Sequence, residues 1–362
     1  MRKVLLALAG LLAVPLAYLL AAPTNVEPVR WTVPAAPSTT DGPYARNERL
    51  RGIERIAQVG VGPESVAIDA SGGFVAGFAD GRIARFAADG ADYRLLATTG
   101  GRPLGIALHP DGSVIVADAH RGLLRIDSTG TLRVLATAAE GEPFRFTDDV
   151  VVDAAGAHAY FTDASAKFGL EEGESDVIEH GGHGRLLRYD FADGATRVLL
   201  RGLQLANGVA LGPEEEFVLV DETGAYRVTR YWLRGAHAGT SEVFVDDLPG
   251  FPDNVTFNGR DRFWVALYAP RSALLDTLGE HPFLRKMIAR LVAVLPHSSA
   301  RESLAMGYDV RGRLVANLQY AGGDGYAPIT SVREVGKWLY FGSTTERGVG
   351  RLPLHSVIAA EQ

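Results

Sequence analysis

Glu64-Ser-Val opens a short stretch that runs into the glycine turn at Gly72-Gly73, and this pattern recurs along the chain. Five later copies each lead into another turn rich in glycine or aspartate: Leu104-Gly-Ile, Asp148-Asp-Val, Asn207-Gly-Val, Asp253-Asn-Val and Thr330-Ser-Val. Successive copies lie 40, 44, 59, 46 and 77 residues apart. Such intervals are typical of a four-stranded propeller blade with some insertions. The sequence therefore predicts an all-β fold, a six-bladed β-propeller.

The first residue of each copy is expected to face the central channel, because the innermost strand of every blade lines it. Four of these six residues carry oxygen donors: Glu64, Asp148, Asn207 and Asp253. Three carboxylates repel one another across a channel unless a cation lies between them. Carboxylate and amide oxygens are the donors that Ca²⁺ prefers. The pattern therefore predicts one divalent cation, Ca²⁺, held by these four residues.

Composition narrows the class of protein. The chain has 362 residues, of which 47% are hydrophobic, and this is enough for a large core. Length alone would suit two domains, but the repeat from about residue 56 to about residue 354 favours one closed architecture. A net charge of −7 without a basic run argues against nucleic acid as a partner. The absence of cysteine excludes disulfides, zinc thiolates and a cysteine nucleophile.

The N-terminus predicts export or membrane attachment. Arg2 and Lys3 precede an apolar run from Val4 to Ala22, which as a helix would be about 28 Å long. The run is either an uncleaved signal-anchor or a cleaved signal peptide. The possible cleavage sites would put a leucine at the −3 position, where a small residue is preferred, and this fits cleavage poorly. In both cases the propeller is expected on the extracytoplasmic side, either anchored to the membrane or exported.

These observations divide the chain into four parts. Residues 1–22 are the predicted signal-anchor or signal peptide, and the proline-rich residues 23–55 are an extended linker. Residues 56–354 form the predicted propeller, and residues 355–362 are a C-terminal tail.

Residues 274–295 interrupt the fifth blade with a helical spacing of apolar residues: Leu284, Met287, Ile288, Leu291, Val292 and Leu295. Arg285, Lys286 and Arg290 lie off this stripe. One interpretation is a helix packed on the propeller rim. The alternatives are a lid over the channel mouth, or a basic helix that contacts an anionic membrane.

Several ordered phrases in the chain carry a family resemblance: Gly62-Pro-Glu-Ser, Tyr160-Phe-Thr-Asp, Gly184-Arg-Leu-Leu-Arg-Tyr-Asp, Ala206-Asn-Gly-Val, Pro249-Gly-Phe-Pro-Asp-Asn and Leu339-Tyr-Phe-Gly-Ser. Over roughly residues 56–354 the chain resembles the strictosidine synthase-like family, within a wider superfamily of gluconolactonases and paraoxonases. The resemblance implies a six-bladed propeller with a channel metal bound by Glu, Asn, Asn and Asp. Glu64, Asn207 and Asp253 match that pattern, whereas Asp148 stands where an asparagine is usual.

The resemblance also implies chemistry. It favours a calcium-dependent hydrolase of carboxylic esters or lactones, arylesterase-like, acting on small apolar substrates. Asp253 is the predicted general base or nucleophile, with His120 and His183 as weaker catalytic candidates. Phe146, Tyr226 and Phe251 are predicted to form an apolar wall for the substrate.

Two other functions can be considered from the sequence, of which the first is disfavoured. The alkaloid-forming members of the family use a glutamate near the start of the last blade, and the matching place here is Thr330. The chain is therefore not expected to be a true strictosidine synthase. The other alternative is a non-catalytic propeller that binds a ligand or a protein, with a metal that is only structural.

Overall fold

The computed structural model describes residues 13–294 and 301–358, and these contain six four-stranded antiparallel sheets arranged as the blades of a propeller. From inner to outer strand, blade 1 consists of Val66–Ile68, Phe74–Gly77, Arg82–Phe86 and Arg94–Thr98, and blade 2 of Pro103–Leu108, Val114–Asp118, Gly122–Ile126 and Leu132–Ala136. Blade 3 consists of Thr147–Val152, His158–Asp163, Gly184–Asp190 and Thr196–Leu203, and blade 4 of Ala206–Leu211, Phe217–Glu222, Arg227–Trp232 and Ser241–Val245. Blade 5 consists of Gly250–Phe257, Arg262–Pro270, Ser303–Asp309 and Leu314–Tyr320. The predicted all-β, six-bladed propeller is confirmed.

Blade 6 joins the two ends of the chain. Its three inner strands are Ser331–Val335, Trp338–Gly342 and Arg347–Pro353, and its outermost strand is Glu54–Val61. Ile56 pairs with Val349 across this junction. Because the first strand completes the last blade, the circle of six blades is closed by hydrogen bonds between strands rather than left with two open edges.

The core lies between neighbouring blades. Several inner and middle strands, such as Val114–Asp118 and Phe217–Glu222, are buried along their whole length, because the sheets bury both faces against neighbouring blades. Trp264 of blade 5 is completely buried and packs with Phe341 and Leu339 of blade 6. Its indole Nε1 donates to Glu334 Oε2 at 2.8 Å. This contact joins the two blades by both packing and a hydrogen bond.

Helices are few and lie outside the blades. We label them α1 (residues 13–21), α2 (Gly173–Glu179), α3 (Ala273–Thr277) and α4 (Pro282–Val292). Short 3-10 turns occur at Leu170–Glu172, Pro213–Glu215, Thr223–Ala225 and Leu354–Ser356, and a two-residue hairpin pairs Ala138–Ala139 with Glu142–Pro143.

The segment between α1 and blade 6 has no helix or strand, yet it packs against the propeller. Leu50 is fully buried in the core between blades 5 and 6, and Asn47 Nδ2 donates to the carbonyl of Asn317 at 3.1 Å. At the other end of the chain Val357 is buried in the same core. Both ends of the chain therefore help to fix blades 5 and 6.

Over residues 13–294 and 301–358, no helix combines the length and the apolar character needed to cross a membrane. The signal-anchor or signal peptide predicted over residues 1–22 lies in large part outside the described residues, since these begin at residue 13.

Replacing Trp264 with alanine should destabilise the propeller more than the same change at Trp338. Trp264→Ala removes a fully buried indole and one of the hydrogen bonds to Glu334, which should lower the free energy of unfolding by about 3–5 kcal/mol. Trp338 is only half-buried. Urea unfolding of both variants would measure the difference, and equal losses would contradict the proposed role of the contact between blades 5 and 6.

Candidate metal centre

The four oxygen-bearing residues of the repeat lie at the same end of the inner strands. Asp148, Asn207 and Asp253 fall near the beginning of the inner strands of blades 3, 4 and 5, and Glu64 directly precedes that of blade 1. All four are buried, with exposed fractions between 2% for Glu64 and 9% for Asn207. Below, these four residues are called the ring.

An irregularity in the strand pairing accompanies three of the ring residues. The regular register is interrupted between Thr147 and Val150 in blade 3, between Ala206 and Val209 in blade 4, and between Pro252 and Val255 in blade 5. A bulge of this kind bends the strand and changes the direction of a side chain. Two consecutive residues are thereby freed from the ladder in each of these blades.

Glycine follows the repeat's first residue where neighbouring inner strands approach most closely. A Cβ atom at Gly105 would lie 2.6 Å from the Cα of Asp149, and one at Gly208 would lie 2.5 Å from the Cα of Asn254. Real side chains do not tolerate such contacts. These glycines therefore allow the inner strands to converge around the ring.

Asn254, which was not predicted from the sequence, makes hydrogen bonds that connect three blades. Its Nδ2 donates to Glu64 Oε1 and to the carbonyl of Thr330 at 2.9 Å, with a longer contact of 3.4 Å to Asp253 Oδ1. The amide thus connects blade 5 to blades 1 and 6. The signal was present in the repeat, since Asn254 occupies the second position of Asp253-Asn-Val.

The carboxylates of the ring repel one another. Burial, followed by the charge of Asp149, raises the pKa of Glu64 to about 8. Burial, followed by Glu64 and Asp149, raises the pKa of Asp148. Burial, followed by Glu64 and Asp148, raises the pKa of Asp253. These groups share one electrostatic environment, and a positive charge among them would favour their ionised forms.

A buried arginine, Arg102, lies close to the ring. Its Nη1 donates to the carbonyl of Gly62 at 3.0 Å. Burial lowers its pKa, whereas the charges of Glu64 and, more weakly, Asp148 raise it. The repeat does not predict Arg102, because no other copy has a charged residue two positions before its first residue.

Asp149 and Asp221 add two buried carboxyl groups beside the ring. Asp149 accepts hydrogen bonds from the backbone N–H groups of Val150 at 2.8 Å and Val209 at 2.9 Å. Burial nevertheless raises its pKa to about 6. Asp221 is fully buried, and within the described part of the chain neither of its carboxyl oxygens has a hydrogen-bond partner. Burial raises its pKa, as does the charge of Asp149 to a smaller extent.

The chemistry of the ring fits a hard divalent cation. Glu64 Oε2 and Asn207 Oδ1 are buried without a hydrogen-bond partner in the described chain. Unsatisfied buried oxygens are costly, and a cation would satisfy them together with the carboxylates of Asp148 and Asp253. Within residues 13–294 and 301–358, however, no group of three or more His, Asp or Glu side chains is arranged so that it could hold a metal ion by itself.

The remaining two positions of the repeat do not offer donors to the channel in the same way. Leu104 is buried in an apolar cluster with Phe146 and Leu205. Thr330 is fully buried, and its Oγ1 donates to the backbone carbonyl of Glu64 at 2.8 Å. Thr330 therefore helps to close the propeller between blades 6 and 1.

Three segments form a cap at the end of the propeller that carries the ring. We define the cap as residues 24–34, 164–183 and 271–294. Thr147 pairs with Asp163, so residues 164–183 leave blade 3 at the end where Asp148 lies. Gly250 pairs with Pro270, so residues 271–294 leave blade 5 at the end where Asp253 lies.

The three segments of the cap hold one another in place. The N–H of Val29 donates to the carbonyl of Glu179 at 2.9 Å, and the N–H of Trp31 donates to that of Gly279 at 3.0 Å. The Arg285 guanidinium donates to the carbonyl of Val177 at 2.8 Å. The segment predicted as a linker therefore forms part of the cap.

The two histidines predicted as catalytic candidates have partners within the cap. His120 Nε2 lies 2.9 Å from Glu171 Oε1, and His183 Nε2 lies 2.6 Å from Glu179 Oε1. Lys167 Nζ also donates to Glu179, at 2.6 Å. The structure thus gives both histidines carboxylate partners outside the ring.

The three predicted wall residues fall into two groups. Tyr226 and Phe251 pack together with a ring-centroid distance of 4.9 Å, and Trp31 of the cap lies 5.9 Å from Tyr226. Tyr226 Oη donates to Asp276 at 2.8 Å. Phe146 is buried in the separate cluster around Leu104.

Comparison with known proteins identifies the family of this chain. A profile described as strictosidine synthase matches residues 148–236, and one described as strictosidine synthase-like, N-terminal, matches residues 42–86. A strictosidine synthase-like 6 protein of Arabidopsis thaliana is 37% identical over 329 residues, covering 88% of this chain and 86% of the relative. The chain belongs to the strictosidine synthase-like family.

Another relative is the adipocyte plasma membrane-associated protein of Rattus norvegicus, which is 34% identical over 333 residues, or 86% of this chain and 88% of the relative. Among solved structures, a gluconolactonase from Xanthomonas campestris superposes with a TM-score of 0.59 at 17% identity, covering 90% of this chain and 99% of that one. Regucalcin of Agrobacterium tumefaciens, a calcium-binding protein, gives 0.55 at 16% identity, covering 82% and 90%. These two likenesses show a shared fold.

His180 of the cap should make stability depend on pH. It is buried, its ring stacks on Trp31 with centroids 3.9 Å apart, and burial, followed by Arg285 and Arg227, lowers its pKa to about 3. The unfolded chain binds a proton on this histidine near pH 6.5, so stability is lost as the pH falls below that value. Between pH 7 and pH 5 this costs about 2 kcal/mol.

The test is urea unfolding of the wild type and of His180→Asn at both pH values. Asparagine tolerates the left-handed backbone at this position, where φ is 57°. The variant should lose about 2 kcal/mol less than the wild type between pH 7 and pH 5. Parallel losses in both proteins would show that His180 titrates normally in the folded state.

Proposed function

We propose that this chain is a divalent-cation-dependent hydrolase of carboxylic esters or lactones, and that the cation is Ca²⁺. The observation that carries the proposal is the pair of unsatisfied buried oxygens, Glu64 Oε2 and Asn207 Oδ1, in a ring that also contains Asp148 and Asp253. We propose arylesterase-like activity on small apolar substrates as the specific form.

Glu64, Asp148, Asn207 and Asp253 would hold the ion. A bound Ca²⁺ would supply Lewis-acid polarisation of a substrate carbonyl. The chain's own residues set the remaining conditions. Asn254 fixes the orientation of Glu64 through its hydrogen bond to Oε1, and the buried guanidinium of Arg102 offsets part of the ring's negative charge.

Asp253 is the residue assigned to proton transfer. Its carboxylate is buried, and only a long contact from Asn254 Nδ2 at 3.4 Å reaches Oδ1. It would accept a proton from the water that attacks the ester, or attack the carbonyl itself. Burial among like charges raises its pKa, which makes it a stronger base than an exposed aspartate.

The cap would supply apolar contacts and exclude water. Phe251, which is half-buried, packs on the fully buried Tyr226, with Trp31 of the cap beside Tyr226. An acyl or aryl group packed against Phe251 would be separated from bulk solvent, which strengthens the electrostatic interactions of the reacting groups.

Similar proteins support the proposal in three respects. The gluconolactonase with the same fold supports lactone chemistry, and the calcium-binding regucalcin supports Ca²⁺ as the ion. The plasma membrane-associated relative supports a location at a membrane or outside the cytoplasm, which the apolar run before residue 23 also favours. Condensation of the strictosidine synthase type is not proposed, because Thr330 stands where the alkaloid-forming members use a glutamate.

A second candidate function is a non-catalytic propeller that binds a ligand or a protein, with an ion that is only structural. The deep burial of the ring beneath the cap favours it, since Glu64 and Asp148 are each only 2% exposed. In that case the ion would join blades 1, 3, 4 and 5 around the axis. Turnover separates the two functions, whereas stabilisation by calcium does not.

Calcium should stabilise the folded chain, and Asn207→Ala should weaken that effect. Binding to the folded state alone adds about 2.7 kcal/mol at a calcium concentration one hundred times the dissociation constant. Loss of the Asn207 donor should weaken calcium binding by at least about tenfold. Isothermal titration and thermal unfolding would measure both effects, with Asn25→Ala, an exposed site, as the control. Unchanged affinity in Asn207→Ala would remove this residue from the ligand set.

Asp253→Asn should abolish turnover while leaving a folded propeller. The purified chain should hydrolyse phenyl acetate or a lactone with calcium, lose activity with chelator, and recover it when calcium is restored. The amide keeps an oxygen donor but cannot accept the proton, so turnover should fall by about 10² to 10⁴. Asp261→Asn, at an exposed turn, should retain full activity. No turnover by the calcium-loaded wild type across a broad panel would favour the binding propeller.

A further inference from the structure

Helix α4 is turned with its arginines inward and an apolar face outward. Arg285 and Arg290 are only 1% and 8% exposed, whereas Phe283 and Leu284 are 60% and 41% exposed. Met287, which is half-buried, lies on the same side as these two at helical spacing. This arrangement is the reverse of a surface helix of a soluble protein, in which charged residues face water.

The arginines of α4 bind backbone carbonyls of the cap and of α1. Arg290 donates to the carbonyls of Ala22 and Leu19, both at 2.7 Å, and thereby satisfies the C-terminal end of α1. Arg285 donates to the carbonyls of Val29 and Val177.

The third basic residue of α4, Lys286, pairs with Glu27 at 2.8 Å. All three basic groups predicted to attract an anionic membrane are therefore engaged within the protein. The surface that α4 presents is apolar rather than basic.

Helix α1 is apolar and exposed on nearly every side. Val14, Leu16 and Leu20 are exposed by 72%, 53% and 45%. Of residues 13–20, only Leu19 is partly buried. A helix that is apolar all round is normally found in a protein core or in lipid. The sequence before it stays apolar back to Val4. Its C-terminal end is fixed to α4 by Arg290, so the two helices are held together at their C-terminal ends.

We infer that α1 and the outward face of α4 form one surface that contacts the acyl region of a lipid bilayer. Phe283 and Leu284 are the side chains of α4 that enter the bilayer, and Leu274 of α3, which is 55% exposed, is the third point of contact. The attraction is burial of apolar surface, which needs no anionic lipid.

The orientation of the propeller follows from this contact. Helix α4 belongs to the cap, and the cap lies at the end of the propeller that carries the ring. The ring end therefore faces the bilayer, and a ligand that dissolves in the membrane reaches the cap without crossing bulk water. A second copy of the chain is the other occupant that would cover the same face, and the experiment below separates the two.

The chain has no cysteine, so a single engineered cysteine gives a unique attachment site for a fluorophore. The full-length chain, one copy per phosphatidylcholine nanodisc, is labelled with an environment-sensitive dye at Phe283→Cys, Leu284→Cys or Leu274→Cys. The matched controls are Leu95→Cys and Val243→Cys, which are exposed residues on the outer strands of blades 1 and 4. Quenching is then measured with aqueous iodide and with a lipid bearing a nitroxide on its acyl chain.

The three labels on the cap should be quenched several-fold less by iodide than the controls, and the lipid nitroxide should quench them but not the controls. The result should be the same in neutral and in anionic lipid. Iodide quenching equal to that of the controls would overturn the inference. Protection that requires two chains in one disc would overturn it in favour of a dimer, and protection that requires anionic lipid would overturn the apolar contact.

Discussion

Negative charge buried at the axis is the constraint on which the rest of this structure depends. Glu64, Asp148 and Asp253 lie together where water is excluded, and like charges in such a medium interact strongly. The chain balances them with the amide of Asn254 and the guanidinium of Arg102. Among residues 13–294 and 301–358, one oxygen atom each of Glu64 and Asn207 has no hydrogen-bond partner. The same imbalance that would destabilise an ordinary core makes this position suited to a cation.

The backbone is shaped to bring these groups together. Interrupted pairing in blades 3, 4 and 5 frees the residues around Asp148, Asn207 and Asp253 from the regular ladder. Gly105 and Gly208 let adjacent inner strands approach to a distance that no side chain would permit. Convergence at the ring is thus a property of the backbone, and the chemistry is determined by which side chains occupy a few equivalent positions. Relatives with the same propeller can therefore differ in activity.

The repeat made the architecture predictable, because equivalent residues of a propeller blade recur at intervals that the sequence shows directly. It also predicted that Glu64, Asp148, Asn207 and Asp253 share one end of the channel. Arg102 could not be found in this way, since it has no counterpart in the other copies. The contacts of the segment before residue 54 were also not predictable, because its proline-rich composition is typical of a free tether, and only tertiary contacts such as Trp31 on His180 hold it.

Closure by the first strand has a consequence for biosynthesis. Glu54 and Arg351, which form an ion pair across blade 6, are 297 residues apart in the chain. Pairing over such a distance is slow and has to wait until the last strand has been made. Until then blades 6 and 1 are not joined, and Glu64 lacks the contacts from Thr330 and Ser331. The axis is therefore completed last, so an ion held there would be drawn from whichever compartment the finished chain occupies when the propeller closes.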